Sequence, residues 1–191
     1  GGFGSKIYIY PEEIVCLWAS KKTGVPVKWN SDRTEALLTD AHGRDHVTHA
    51  EIAFDKDNKI IGFKVDTIAN LGAYMSLFSS AVPTYLYATL LSGQYNIPCI
   101  HANVKTVYTN TAPVDAYRGA GRPEATFVVE RIMETAAREL GVSPVDLRRA
   151  NFVRSFPHQT PVIMCYDAGD YDASLDAAMK AANYDGFEKR R

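Results

Sequence analysis

The stretch AYRGAGRPEATFVVERIMETAARELG, residues 116–141, joins a glycine- and arginine-rich loop to a run of helix-forming residues. Apolar side chains recur at positions 125, 128, 129, 132, 133, 136 and 140, and Gly141 follows them, which predicts an amphipathic helix that ends there. In the loop, Gly119 and Gly121 lie between Arg118 and Arg122. Bare glycine backbone, two arginines and the positive end of the helix favour binding of a phosphate or another oxyanion. The alternative that composition leaves open is a tight turn with solvated arginines.

The rest of the chain is patterned into helices and strands that do not alternate as βαβ units. Helices are predicted at 11–23, 143–151 and 172–182, and strands at 25–29, 47–54, 59–69 and 101–110. In the first helix we expect Ile14, Leu17 and Trp18 to form a buried stripe, with Gly24 as the terminating residue. The pattern predicts an α+β fold, with a mixed sheet and flanking helices, in one fragment that spans residues 1–191.

Composition narrows the function classes. The 191 residues carry a net charge of −1, so no basic field favours nucleic acid as a partner. No apolar run approaches the roughly 20 residues that a membrane span requires. Three widely separated cysteines, Cys16, Cys99 and Cys165, favour a reducing compartment, and we expect a cytoplasmic protein. Because the chain begins Gly-Gly-Phe-Gly without an initiator Met, we expect it to be part of a longer protein.

A second glycine-rich stretch, GGFGSK, occupies residues 1–6. It lacks the GxxxxGK[ST] spacing of a nucleotide-binding P-loop, since Lys6 is followed by Ile7, and it is not a GxGxxG motif. On its own, ordinary turn chemistry accounts for it.

Together, GGFGSK and AYRGAGRPEA resemble the two glycine loops of the molybdenum hydroxylases, the family of xanthine dehydrogenase, aldehyde oxidase and aerobic carbon monoxide dehydrogenase. The similarity is to the large molybdopterin-binding subunit. It extends through KTGVPVKW (22–29), AEIAFDKDNKIIGFKVD (50–66) and YDAGDYDASLDAAM (166–179). It therefore covers essentially the whole chain, although the family's subunit is several times longer.

The resemblance implies specific site residues. In the family, the aromatic of the first loop and the arginine of the second lie beside the molybdenum cofactor. The matching cofactor-binding residues here are Gly2, Phe3, Gly4, Arg118, Gly119 and Ala120. None of them is expected to ligate the metal directly. The implied reaction is hydroxylation of an aldehyde or an aromatic heterocycle, with water as the source of oxygen and a glutamate as base.

The resemblance also implies cofactors and partners. The cofactor is molybdenum-molybdopterin, expected in its cytosine dinucleotide form, and electrons leave through an iron–sulfur subunit and a flavin (FAD) subunit. Such an enzyme would be a hetero-oligomer, expected as a dimer of heterotrimers, that acts on a small-molecule substrate.

Several positions depart from particular family members. Ile7 stands where xanthine-oxidising members carry a substrate-binding glutamate, and TYLYATL (84–90) lacks their substrate arginine. Ala120 replaces their stacking aromatic, and Gly119 replaces the copper-binding cysteine of carbon monoxide dehydrogenases. These differences favour a copper-free, carbon-monoxide-dehydrogenase-like subgroup. The family's catalytic glutamate lies outside the matched region, so we expect the chain alone to be inactive.

Two other interpretations stay open at this point. A non-catalytic binding or assembly domain could keep the fold and its glycine loops. The stretch HGRDHVTH gathers His42, His46 and His49, which suggests a metal site, but no Cys or Glu completes a ligand set there.

Overall fold

The computed structural model describes residues 2–190, apart from the side chain of Glu188, and Gly1 and Arg191 lie outside the described residues. Its elements, in chain order, are α1 (Pro11–Thr23), α2 (Arg33–Thr39), β1 (His46–Phe54), β2 (Ile60–Asn70), a π-helical turn (Val82–Leu86), β3 (Ile100–Val107), α3 (Arg122–Leu140), α4 (Pro144–Asn151), β4 (His158–Gln159), β5 (Cys165–Tyr166), α5 (Tyr171–Ala181), a 3-10 turn (Tyr184–Gly186) and α6 (Phe187–Arg190). No helix among these residues is both long enough and apolar enough to cross a membrane.

The larger sheet has three strands in the order β1-β2-β3. A short turn at residues 55–59 joins β1 and β2 as a hairpin. The backbone bonds from Phe63 N to Cys99 O and from Leu71 N to Val107 O advance in the same direction along both strands, so β2 and β3 run parallel. The sheet is therefore mixed, and the predicted α+β fold is confirmed. The short strands β4 and β5 pair antiparallel.

The chain divides into two compact units. The first unit comprises Gly1–Val47, Thr67–Tyr87 and Val104–Glu124, and the second comprises Thr48–Asp66, Ala88–Asn103 and Ala125–Arg191. Both glycine-rich loops belong to the first unit. The grouping of residues 1–191 as one fragment of a molybdopterin-binding domain stays a prediction.

Two expectations for the N-terminal region are wrong. Residues 25–29 form no strand, in keeping with Pro26, which has no N–H to donate to a ladder. Helix α1 has the predicted bounds, and Gly24 ends it in the left-handed conformation with φ +73°. Its apolar stripe is nevertheless exposed, with Leu17 at 70% and Trp18 at 60%, because no part of the described chain covers that face.

The other elements follow the sequence closely. The hairpin strands lie within one residue of their predicted bounds. Strand β3 is shorter than predicted and ends at Val107. Helix α3 has the expected periodicity, and its buried residues are Ala125, Val129, Met133, Ala136 and Ala137.

Asn151, at the end of α4, links three segments of the second unit. Its side-chain Nδ2 donates to the carbonyl oxygens of Asn58 at 2.8 Å and Leu147 at 2.9 Å, and its Oδ1 accepts from Ile60 N at 2.8 Å. The residue is only 3% exposed. If its side chain were removed, water could not easily reach these three backbone groups to replace the lost hydrogen bonds.

We predict that Asn151→Ala lowers the free energy of unfolding by about 2–4 kcal/mol, because buried polar groups that lose their partners cost about 1–3 kcal/mol each. Asn103→Ala is the matched control, since Asn103 is exposed and its side chain donates to Asp66 alone at 3.1 Å. That change should stay within about 0.5 kcal/mol. Equilibrium urea denaturation measures both, and equal effects would contradict the prediction.

Candidate functional site

The two glycine-rich loops meet through their main chains. Arg118 N donates a hydrogen bond to the carbonyl oxygen of Phe3 at 2.6 Å. Gly4 lies against the second loop so closely that a Cβ there would collide with the carbonyl oxygen of Ala116. Gly4 also has a φ of +122°, and Phe3 has a φ of +51°. The structure thus brings together the two glycine-rich motifs of the sequence. A side chain at Gly4 would prevent this close contact.

The second loop, residues 116–121, has three successive positive φ values: +116° at Gly119, +45° at Ala120 and +91° at Gly121. A Cβ on Gly119 would lie 2.5 Å from Pro123 Cδ, and one on Gly121 would lie 2.6 Å from Val82 O. Neither position accepts a side chain without movement of its neighbours. Ala120 does carry a Cβ in the left-handed region, at a cost of about 1–2 kcal/mol.

The two arginines of the motif have different surroundings. Arg118 places its guanidinium over the Phe3 ring, 5.3 Å from the ring centroid. Its side chain is solvent-exposed, with no ion pair or hydrogen bond to any other residue in the described range 2–190. Arg122 begins α3, donates its backbone N–H to Gly119 O at 3.0 Å and directs Nη1 to the same oxygen at 3.4 Å. Arg118 therefore keeps its guanidinium donors for a ligand, whereas Arg122 is partly used by the loop itself.

Asp115, directly before the second loop, is a buried carboxylate that sequence reasoning missed. Its Oδ1 accepts from the Tyr8 hydroxyl at 2.6 Å and from Ala116 N at 2.5 Å, and its Oδ2 accepts from Phe78 N at 3.1 Å. Burial, reinforced by the neighbouring carboxylate, raises the pKa of Tyr8, so its hydroxyl stays a donor at neutral pH. Nothing in the spacing of Tyr8 and Asp115 signals this pairing.

Within the segment TYLYATL, Leu86 packs against the same apolar cluster as Ala120 of the second loop. Leu86, at the end of the π-helical turn, and Ala120 both pack against the buried cluster of Tyr8, Val82 and Ala116. The Ala120 methyl group and Leu86 are therefore part of the apolar packing of the first unit.

The three histidines do not converge. His42 Nε2 lies 3.1 Å from Leu37 O, and His49 is exposed beside Glu51. His46 lies edge-on to the Tyr87 ring at 5.0 Å, and neither of its buried ring nitrogens has a hydrogen-bond partner in residues 2–190. Burial lowers the pKa of His46 and keeps the imidazole neutral. Within the described chain there is no group of three or more His, Cys, Asp or Glu side chains that could hold a metal ion.

We predict that Tyr8→Phe destabilises the protein by about 1.5–3 kcal/mol, because it removes a hydrogen bond to a buried charged group. Tyr108→Phe is the control, since Tyr108 is 60% exposed, and it should change stability by less than about 0.5 kcal/mol. Thermal and urea unfolding give both values. A Tyr8→Phe protein as stable as the control would show that Asp115 does not depend on this donor.

The chain is similar to a domain model and to several known proteins. A model of the molybdopterin cofactor-binding domain matches residues 1–152. The carbon monoxide dehydrogenase large chain of Hydrogenophaga pseudoflava is 40% identical over 191 residues, which cover 96% of this chain and 23% of that protein. Subunit gamma of the 6-hydroxypseudooxynicotine dehydrogenase complex of Paenarthrobacter nicotinovorans is 36% identical, with 96% of this chain and 24% of the relative covered.

A solved structure shares the fold over the full length of the chain. Quinoline 2-oxidoreductase from Pseudomonas putida 86 superposes with a TM-score of 0.93 at 30% identity, with 100% of this chain and 25% of that chain covered. The chain thus spans about a quarter of the length of the proteins it matches. By its matching domain model, the chain belongs to the molybdopterin cofactor-binding domain family of the molybdenum hydroxylases.

Proposed function

We propose that this chain forms the part of a molybdenum hydroxylase large subunit in which two glycine-rich loops hold the molybdopterin cofactor. The residues proposed to contact the cofactor are Gly2, Phe3, Gly4, Arg118, Gly119 and Ala120. One observation carries the proposal: Arg118 joins the loops through its backbone N–H, while its guanidinium lies over Phe3 and has no hydrogen bond or ion pair within residues 2–190.

The residues present fit an anionic cofactor. Gly4 lets the two loops pack closely, so that main-chain groups of both loops lie beside Arg118. The Arg118 guanidinium supplies a planar set of donors and a permanent positive charge. Helix α3 starts directly after the loop and adds the positive end of its dipole. Such a donor set would hold the anionic oxygen atoms of phosphate groups.

When bound, the cofactor supplies the oxidation of a substrate C–H bond, with oxygen derived from water. The residues of this chain would bind and orient the cofactor: the main chain of both loops would hold it, and Arg118 would stabilise negative charge on it. The base is proposed to be a glutamate outside residues 1–191. Without that base, the chain alone is expected to be inactive.

The substrate is proposed to be an aldehyde or an aromatic heterocycle. Ala120 has only a methyl group at the position where xanthine-oxidising members of the family carry an aromatic, and the smaller side chain suits a flat or extended organic molecule. Copper(I) requires soft sulfur ligands. Gly119 offers none, and no cysteine occurs in either loop, so the proposed enzyme belongs to a copper-free, carbon-monoxide-dehydrogenase-like subgroup.

Partners and further cofactors are proposed on the same basis. The names of two relatives, "large chain" and "subunit gamma" of a "dehydrogenase complex", describe proteins with several subunits. We expect an iron–sulfur subunit and an FAD subunit here too, in a dimer of heterotrimers. The cytosine dinucleotide form of the cofactor and a cytoplasmic location complete the proposal.

The competing function is a binding or assembly domain that keeps the fold but performs no catalysis. Sequencing the reading frame downstream of residue 191 discriminates the two, because an enzyme needs a glycine-flanked glutamate motif there. A downstream sequence without that motif would favour the competing function.

We predict that, in the complete holoenzyme, Arg118→Ala lowers turnover on the order of 100-fold, because it removes a fixed charge aimed at the reacting group. Arg122→Ala should have a much smaller effect, since that side chain already turns toward Gly119 O. Turnover per bound molybdenum, with an aldehyde as substrate and a dye as acceptor, measures both. Equal losses would mean that the two arginines are assigned wrongly.

We also predict that the complete enzyme contains no stoichiometric copper and does not oxidise carbon monoxide, because Gly119 supplies no thiolate. It should instead turn over one or more members of a panel of aldehydes and nitrogen heterocycles. Metal analysis and a dye-reduction assay of the purified enzyme test both points. Carbon monoxide turnover, or one copper per molybdenum, would overturn this part of the proposal.

A further inference from the structure

A segment before β1 runs alongside the chain that leads into the second loop. His42 N donates to Pro113 O at 2.8 Å, and Asp115 N donates to His42 O at 2.7 Å, so the two segments form a parallel bridge. The next residue, Gly43, is pressed against the loop: a Cβ there would lie 2.8 Å from Tyr117 Cβ. Arg44 follows, and it is directed at the loop from this fixed position.

The Arg44 side chain binds the second loop at two carbonyl groups. Its Nη2 donates to Tyr117 O at 3.1 Å and also to Arg118 O. The guanidinium lies over the Tyr117 ring, 5.1 Å from the ring centroid. Its Nε is 3.9 Å from Glu124 Oε2 in the first turn of α3. One cation therefore contacts residues on both sides of the glycine pair.

These bonds fix the direction of two peptide planes. In a planar trans peptide the C=O and the following N–H point in opposite directions. With Tyr117 O held by Arg44, the Arg118 N–H is directed to Phe3 O, where its hydrogen bond is observed. By the same geometry, holding Arg118 O turns the Gly119 N–H away from Arg44.

The loop needs such a restraint because its conformation is not one that its sequence favours. Ala120 has a positive φ, which costs an alanine about 1–2 kcal/mol, and the glycines beside it have many other conformations available. Arg44 itself has a φ of +64°, so its backbone is also held in an uncommon conformation. Non-glycine residues persist in this region only when their surroundings determine it.

We propose that Arg44 is a positioning residue for the proposed cofactor site, holding the Tyr117 and Arg118 carbonyls so that Arg118 and Gly119 face the cofactor in one orientation. This inference rests on the proposed function, since it concerns the loop assigned to the cofactor. Arg44 acts through the loop and has no assigned contact with substrate or cofactor.

A structural role alone is the alternative. The Glu124 side chain is only 8% exposed, and Arg44 is its ion-pair partner. Loss of Arg44 would leave that carboxylate without a nearby opposite charge, which destabilises folded proteins in general. The test must therefore separate stability from orientation.

The test uses the complete, cofactor-loaded enzyme with three variants: Arg44→Met, Arg44→Lys and Gly43→Ala. The last displaces the segment from Tyr117 without removal of the charge. The controls are Gly62→Ala, where a Cβ meets nothing within 4 Å, and Arg131→Met, which removes an exposed arginine of α3. Measured for each are the molybdenum content, the melting temperature, the molybdenum(V) EPR spectrum, and kcat and KM per bound molybdenum.

We expect Arg44→Met to lower kcat per molybdenum by about 10–100-fold, the range that a misplacement of about 1 Å can cause. The molybdenum content should equal that of the controls, and the EPR spectrum should change. Gly43→Ala should shift kcat and the spectrum in the same direction, which decides the matter if Arg44→Met fails to assemble. Arg44→Lys should recover only part of the lost kcat. The ammonium group keeps the positive charge, but it lacks the planar fork with which arginine can bind two carbonyl groups.

If Arg44→Met had a lower melting temperature and a lower molybdenum content but an unchanged kcat per molybdenum, the inference would be overturned in favour of a structural role. An Arg44→Lys enzyme as active as wild type would overturn the two-carbonyl assignment. A wild-type enzyme without molybdenum or hydroxylase turnover would instead refute the proposed function. The two failures are therefore distinguishable.

Discussion

The first unit depends on the buried carboxylate of Asp115. This one side chain accepts hydrogen bonds from Tyr8, just beyond the first loop, from Phe78, and from Ala116 at the start of the second loop. A carboxylate that water does not reach is stable only when donors bind its oxygens. The three segments that supply these donors are therefore held in fixed positions around Asp115. The hydrogen bond from Arg118 N to Phe3 O then lies between two loops whose bases are already fixed.

The glycines of the two loops and Arg118 have different roles in this arrangement. Gly4 and Gly121 are required by contacts inside the protein, with Ala116 O and Val82 O, and these contacts explain them without any ligand. Arg118 is different, because an exposed guanidinium that stacks on Phe3 and pairs with nothing in the described residues has no structural task of its own. The glycines therefore support the geometry, whereas the role of Arg118 is the cofactor contact proposed above. A glycine motif alone could not separate these two roles.

The sequence predicted those features that depend on neighbours along the chain. The bounds of α1 and the β1–β2 hairpin follow from local periodicity, capping and turn residues. Periodicity also predicted four of the buried positions of α3, but Ala137 is buried outside the predicted set and Leu140, within it, is exposed. The sequence did not predict Asp115 or Arg44, because Asp115 pairs with Tyr8 and Arg44 pairs with Tyr117 across long stretches of chain. The apolar stripe on α1 was wrongly predicted to be buried. Leu17 and Trp18 have helical spacing, but spacing does not show whether another segment covers that face of the helix. The contact of the two loops, by contrast, was foreseen only through the resemblance of both motifs to one family.

The local fold gives the two arginines of the motif different surroundings. Arg122 lies at the first position of α3, where the backbone reverses, and both its N–H and its side chain turn to Gly119 O. Arg118 lies before the reversal, where its own carbonyl is bound by Arg44 and its N–H is bound by Phe3. With both backbone groups engaged, the side chain of Arg118 is the part left to respond to a ligand. The two arginines therefore differ in the freedom of their side chains. The Arg122 side chain turns to Gly119 O at the start of α3, whereas only the backbone N–H and C=O of Arg118 are hydrogen-bonded.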